Sequence, residues 1–185
     1  LDRITVTARR PAGADERPEA VSRVDGDTVD AVGATHANEL LARVPGAWAS
    51  RGSGQEQLTA IRSPVLAGVG ACGAFLFLED GVPIRPAGFC NVNQLFELGT
   101  ETASAVEVLR GPGAAVHGSN ALHGVINVIP RGPRDGGPRR VGLEAGPEDY
   151  RRLQLGAGDP GAALPWRVDA HGVSTGSFRP EEGYD

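Results

Sequence analysis

Between Val141 and His171 apolar and polar residues take turns along the chain, and no other feature limits the possible folds as much. Val141, Leu143 and Ala145 are interleaved with Arg140, Gly142 and Glu144; Leu153, Leu155 and Ala157 with Arg152 and Gln154; Trp166, Val168 and Ala170 with Arg167, Asp169 and His171. Successive side chains of a strand point to opposite faces, so each run makes a strand with one apolar and one polar face. Such segments, separated by Gly, Pro and Asp turns, suit a transmembrane barrel with a wet interior, with Tyr150 and Trp166 as interfacial aromatics near strand ends. A soluble antiparallel sheet has the same period. Residues 140–185 supply only about three or four strands, whereas the smallest closed barrels have about eight and an open edge cannot face lipid. Either a barrel is cut short here, or the tail packs as a soluble sheet. No apolar run approaches the roughly 18 to 20 residues of a membrane helix, so any membrane contact must be made by strands.

Ahead of this tail the chain is rich in turns. Gly 27 and Pro 14 among 185 residues predict strands and ordered loops rather than long helices, in one modest domain with an extension. A net charge of -5, with arginines spread along the chain, argues against a nucleic-acid partner held through many phosphates. Every basic residue is Arg and Met is absent, so a chain opening at Leu1 reads as processed or excised; loss of a secretory signal peptide would explain it. Cys72 and Cys90 lack a His pair at ligand spacing, which leaves no tetrahedral zinc site. Two buried thiols remain possible, and a Cys72–Cys90 disulfide formed in an oxidising compartment is the expectation. Its loop closure would stabilise the fold by about 3 kcal/mol on the chain-entropy model.

The β-prone run Ile4, Thr5, Val6, Thr7 and Ala8 precedes a flexible stretch with Pro11, Gly13 and Pro18. It can add to the edge of another protein's sheet, or serve as an ordinary first strand. Further on, a strand is expected over 21–25 and a helix over 36–43 capped by Thr35, with Leu40, Leu41 and Val44 inward and Pro45-Gly46 as its stop. Strands follow over 47–51 and 57–62, with Leu58 and Ile61 in the core. Phe75, Leu76, Phe77 and Leu78 form a continuous apolar run suited to a strand buried on both faces, and Glu79-Asp80-Gly81 turns it into Val82, Pro83 and Ile84. A short helix over 92–98, strands over 105–109 and 124–129, a helical turn over 112–116 and a linker over 131–138 complete the reading.

Residues 106–129 read VEVLRGPGAAVHGSNALHGVINVI. A phosphate-binding loop is excluded by spacing. After Gly111 and Gly113 the third fingerprint position falls on Val116, and Ser119 stands where a Walker loop needs Lys. The segment closely resembles the signature of the plug domain of TonB-dependent outer-membrane receptors, with His123 where that family usually has Gly. Three more of the family's blocks appear in the same order: E-L-L-x-x-V-P-G at residues 39–46, I-R at Ile61 and Arg62, and D-G-V-P-I at residues 80–84. Ser63 departs from the family's usual Gly.

The resemblance covers about residues 1–133 and implies an α+β fold. The expected arrangement is a plug with a small mixed β-sheet, short helices and many loops, followed by antiparallel strands of an incomplete transmembrane β-barrel. In such receptors the plug fills the lumen of a barrel of about 22 strands. The implied division is 1–20 TonB box and linker, 21–133 plug, 134–185 start of the barrel. It implies that Ile4, Thr5, Val6, Thr7 and Ala8 form the TonB box, which joins the energising protein TonB by strand addition. Arg62 and Arg110 would pair with barrel glutamates to hold the plug, with Glu107 a neighbour; the planar guanidinium suits bidentate carboxylate binding. Arg85, Phe89 and Asn91, in the loop carrying the two cysteines, are the candidate ligand face. The implied function is active uptake of a scarce ligand across the outer membrane of a Gram-negative cell. Siderophore-iron, cobalamin, other metals and sugars all fit. The alternative is a free-standing periplasmic plug-like binding module. No nucleophile elbow, paired-His motif or carboxylate pair points to an enzyme, and no cofactor or resident metal is expected.

Overall fold

The computed structural model describes residues 20–52, 57–64, 75–84, 98–113, 117, 121–135 and 139–176. Strand β1 (Val21–Asp25) leads directly into helix α1 (Gly26–Val32), which sequence reasoning missed. Asp, Thr and Val are poor helix formers, so the seven residues of this helix carry no strong propensity signal. Its ends are nevertheless well made. Asp25 accepts from Thr28 N at 2.8 Å as N-cap, and Gly33, at φ 56°, closes the last turn by donating to the Val29 carbonyl.

Helix α2 (Ala37–Leu41) is shorter than expected and is capped one residue later than expected. His36 Nδ1 accepts from Asn38 N at 3.1 Å, while Thr35 Oγ1 donates to Glu39 Oε1. A neutral imidazole nitrogen is an acceptor as competent as a hydroxyl, which moves the cap from Thr35 to His36. Leu40, Leu41 and Val44 are buried as the helical spacing required. Strands β2 (Ala47–Ala49) and β3 (Thr59–Ile61) then form a short antiparallel pair. Ile61 lies in the core; Leu58 is only half-buried.

The main sheet has five strands in the order β1-β6-β7-β4-β5, where β4 is Phe75–Glu79, β5 Val82–Pro83, β6 Ala103–Arg110 and β7 Gly124–Pro130. It is mixed, because β4 runs parallel to β7 while the other neighbours are antiparallel. Phe75 and Phe77 pack with α1, α2, Ile61, Val106, Val108 and Ile126 on one face; Leu76 and Leu78 pack with Val125, Ala121 and Leu109 on the other. Both faces of β4 are thus covered, as its unbroken apolar run required. Burial of each such side chain contributes roughly 1.5–3 kcal/mol. Asp80 and Gly81 both have positive φ, as a two-residue hairpin turn demands, and Gly81 N donates to Asn127 Oδ1 at 2.9 Å.

Three further strands, β8 (Arg139–Ala145), β9 (Arg151–Asp159) and β10 (Trp166–Ser174), form an antiparallel sheet with β9 in the middle. Its polarity is inverted. Val141 and Leu143 are 72% and 77% exposed, while Arg152 and Gln154, on the opposite face, are buried. The expected 92–98 helix is undescribed except for Leu98, which is buried, and the 112–116 turn only at Pro112 and Gly113.

The α1 cap yields a pH prediction. Hydrogen bonding from the Thr28 side chain and backbone holds the Asp25 carboxyl below its ordinary value of 3.8. A carboxylate with a depressed folded pKa stabilises fully above its unfolded pKa, and that contribution is lost as pH falls through the folded value. Amide exchange should therefore show the Thr28 amide protected at neutral pH and losing protection as pH drops below about 3.8. Asp25→Ala should abolish that pH response at the start of α1 and lower protection already at neutral pH. An unchanged exchange profile in the variant would refute the cap.

Candidate functional site

The corner that ends α2 brings two of the arginines picked out by sequence to one place. Gly46 turns the chain at φ 81°, and its carbonyl accepts from Arg62 N at 2.8 Å. The Arg62 side chain lies beneath it, so a Cβ on Gly46 would fall 3.2 Å from Arg62 Cγ. Arg62 itself is exposed and sits at φ 50°, a left-handed conformation that costs a non-glycine residue roughly 1–2 kcal/mol. From the end of β6, Arg110 Nη1 donates to the Pro45 carbonyl at 3.0 Å and its Nε to the Ala20 carbonyl at 3.1 Å. Arg110 thereby ties the start of β1 to the Pro45-Gly46 corner. Among the described residues neither guanidinium has a carboxylate at ion-pair distance.

Glu107 does not join them. Positions 107 and 110 of one strand face opposite sides, and on its own side Glu107 meets Arg23 of β1, with Arg23 Nη1 donating to Glu107 Oε1 at 2.6 Å. His123, where the resemblance leads one to expect Gly, lies with its ring 5.8 Å from that of Phe75. Ile4, Thr5, Val6, Thr7, Ala8, Cys72, Cys90, Arg85, Phe89 and Asn91 lie outside the described residues. Among the described residues no group of three His, Cys, Asp or Glu side chains could hold a metal ion.

A second polar cluster escaped sequence reasoning. Asp30 Oδ1 of α1 accepts from Arg131 Nη2 at 2.6 Å and from Arg140 Nη1 of β8 at 2.5 Å. The Gly33 carbonyl at the end of α1 accepts from Arg152 of β9, and His171 Nε2 of β10 lies 3.5 Å from Glu101 Oε2. The partners in these hydrogen bonds are separated by 101 to 119 residues. No local pattern could have signalled them, beyond the presence of Arg on the polar face of alternating strands.

With the mixed sheet, the arginine-held corner and the inverted outer sheet established, comparison with known proteins gives the class. Residues 14–125 match the model of the TonB-dependent Receptor Plug Domain. The match covers more than half of the chain, which belongs to the TonB-dependent receptor plug family. The fold is shared with the outer-membrane ferripyoverdine receptor of Pseudomonas aeruginosa (TM-score 0.69, 23% identity, 88% of this chain and 21% of that one). It is also shared with the alcaligin outer-membrane receptor FauA of Bordetella pertussis (TM-score 0.67, 20% identity, 86% of this chain and 27% of that one). The copper transporter OprC matches likewise (TM-score 0.64, 18% identity, 89% of this chain and 25% of that one). The chain thus spans about a fifth to a quarter of the length of these solved proteins.

Gly46→Ala tests the corner. An alanine must adopt the left-handed conformation and displace Arg62, so the plug should lose about 1–2 kcal/mol. Urea denaturation followed by the fluorescence of the adjacent Trp48 measures this. Gly46→Asn, which tolerates the same backbone better, should lose less; equal stability of Gly46→Ala and the parent would show that the corner is not constrained.

Proposed function

We propose that this chain is the plug and opening barrel strands of a receptor that imports a scarce metal chelate, of the siderophore-iron kind, across the outer membrane. The observation that carries the reading is the inverted sheet beside the plug. Strands β8 to β10 turn Arg140, Arg152, Arg167 and His171 toward one side and Val141, Leu143, Val168 and Trp166 toward the other, where all four are exposed. An apolar row of this kind is unfavourable in water and favourable in hydrocarbon. A free-standing periplasmic module would leave it wet, so no observation favours that alternative.

In this reading the units are 1–20 TonB box and linker, 21–133 plug and 134–185 first barrel strands. Ligand binds on the outer side against the loop with Arg85, Phe89 and Asn91, which a Cys72–Cys90 disulfide stiffens. Binding biases the plug toward a state that releases Ile4 to Ala8 into the periplasm, where TonB adds to it as a strand. Arg62 and Arg110 hold the corner of the plug, turned toward barrel carboxylates. Ligand and TonB are then coupled because both shift one two-state plug. The solved proteins of like fold include receptors named for pyoverdine and alcaligin as well as a copper transporter, which supports a metal or metal-chelate cargo.

Two experiments test it. Proline at position 4 removes a main-chain donor and is refused by paired strands. Ile4→Pro should therefore reduce uptake of ferric siderophores by cells at least about tenfold, roughly the effect of a hydrogen bond's worth of free energy or more. Ligand binding to outer-membrane fractions should stay unchanged. Unimpaired uptake would refute the TonB-box assignment, and a soluble periplasmic protein near 19.1 kDa in place of an outer-membrane one would refute the receptor reading. For the disulfide, thiol labelling of the unreduced, unfolded protein should detect no free thiol, and labelling of both cysteines would exclude the bridge.

A further inference from the structure

The geometry points to a plug docked on its barrel wall with a polarity opposite to that of the two plug arginines: we propose that acceptors on α1, Asp30 and the Gly33 carbonyl, are received by arginines of the first wall strands and their connector. The inference rests on the plug-in-barrel reading. Asp30 Oδ1 is shared by Arg131 of the connector and Arg140 of β8, at 2.6 and 2.5 Å. One turn later the Gly33 carbonyl takes the Arg152 guanidinium, whose side chain is 2% exposed and whose nearest carboxylate, Glu144 Oε1, lies 3.8 Å away.

Three features make this a built joint. The last carbonyls of a helix have no partner within it and carry the negative end of its dipole, so they attract cations. Helix α1 has no basic residue in its last turn, and the wall supplies the cation instead. Arginine is the suitable donor, because its fork serves several acceptors and it stays charged at all working pH values. The wall is also shaped for it. Arg140, Gly156 and Asp169 lie side by side across β8, β9 and β10, and a Cβ on Gly156 would fall 2.7 Å from Asp169 Oδ1 and 3.3 Å from Arg140 Cβ. With no side chain at 156, the Asp169 carboxylate lies over β9 and pairs with Arg167 at 2.6 and 2.7 Å. Arg140 is left to reach the plug. At the β10 end His171 faces Glu101, another acidic plug group opposite a basic wall group.

The test is a double-mutant cycle in the full-length receptor purified from outer membranes, with amide exchange of residues 27–33 as the readout. Asp30→Ala and Arg140→Ala should each speed exchange in α1 roughly five- to tenfold, and the double variant no more than the faster single one. Val82→Ala, an exposed position on β5 at the opposite edge of the plug sheet from β1, should leave α1 unchanged. Additive single effects, or none, would overturn the docking, and Asp30→Asn gives a second, isosteric variant should Asp30→Ala fail to fold. Val141→Cys and Leu143→Cys separate the two levels of the argument. If these cysteines react in intact outer membranes with a membrane-impermeant thiol reagent, the plug-in-barrel reading itself is wrong; if they are protected and the cycle is additive, only the docking is wrong.

Discussion

The plug depends on the pairing of β6 with β7, and that pairing depends on how closely the two strands and β3 approach at Gly124. A Cβ there would lie 2.7 Å from the Leu109 carbonyl and equally close to Ile61 Cδ1. The first of these is backbone, which cannot yield without opening the β6–β7 ladder. With glycine in place, Ile61 closes down on the sheet and brings β3 and its partner β2 with it. The corner between α2 and β2 then lies within reach of Arg110, the last residue of β6. Strand β1 extends the pair on one side, and β4 with β5 on the other. A signature that looks like a glycine-rich ligand loop in sequence is thus first a packing device.

The two larger sheets solve opposite problems. The plug sheet covers apolar side chains on both faces, with Phe75 and Phe77 on one and Leu76 and Leu78 on the other. The outer sheet leaves its apolar face open and turns Arg140 and Arg152 toward the plug. Where the two meet, neither contributes an extended apolar surface, so the contact is made of guanidinium groups, carboxylates and main-chain carbonyls. The seam follows from the inversion: a sheet that carries its apolar residues on the open face has its polar ones on the face that meets the plug.

How much of this can be read in the sequence depends on how local its cause is. The strand buried on both faces at Phe75 to Leu78, the Asp80-Gly81 turn and the alternation after Arg139 have causes within a few residues, and all were legible. Helix α1 was not, because its stability comes from two caps and from packing of Val29 rather than from the propensity of its residues. The cap of α2 was misplaced by one position because Thr35 and His36 both offer acceptors, and the backbone alone decides which is used. Arg62 and Arg110 were found through the family signature, yet their common contact with Pro45 and Gly46 joins three distant segments. The grouping of Glu107 with the arginines fails on strand parity, which is simple once β6 is known to be continuous through Arg110. The joint at Asp30 spans a hundred residues and could not have been inferred from any window of sequence.

A polar seam also bears on how a plug can be both held and moved. Separating an apolar interface exposes surface at about 25 cal/mol per Å², whereas ion pairs and hydrogen bonds drawn apart in a wet lumen are replaced by water at small net cost. Arg140 and Asp30 are each about a third exposed already, so water reaches them without prior rearrangement. Arg152 is the exception. Buried beneath the end of α1, it would be left without the Gly33 carbonyl until water entered, which makes the β9 contact the stiffer half of the joint. In the proposed transport cycle, load entering at Ile4 to Ala8 passes first through β1, which among the described residues is an edge strand, and next through α1. The resistance of the plug is then set in two stages, a ladder of main-chain hydrogen bonds to β6 followed by a charged joint to the wall.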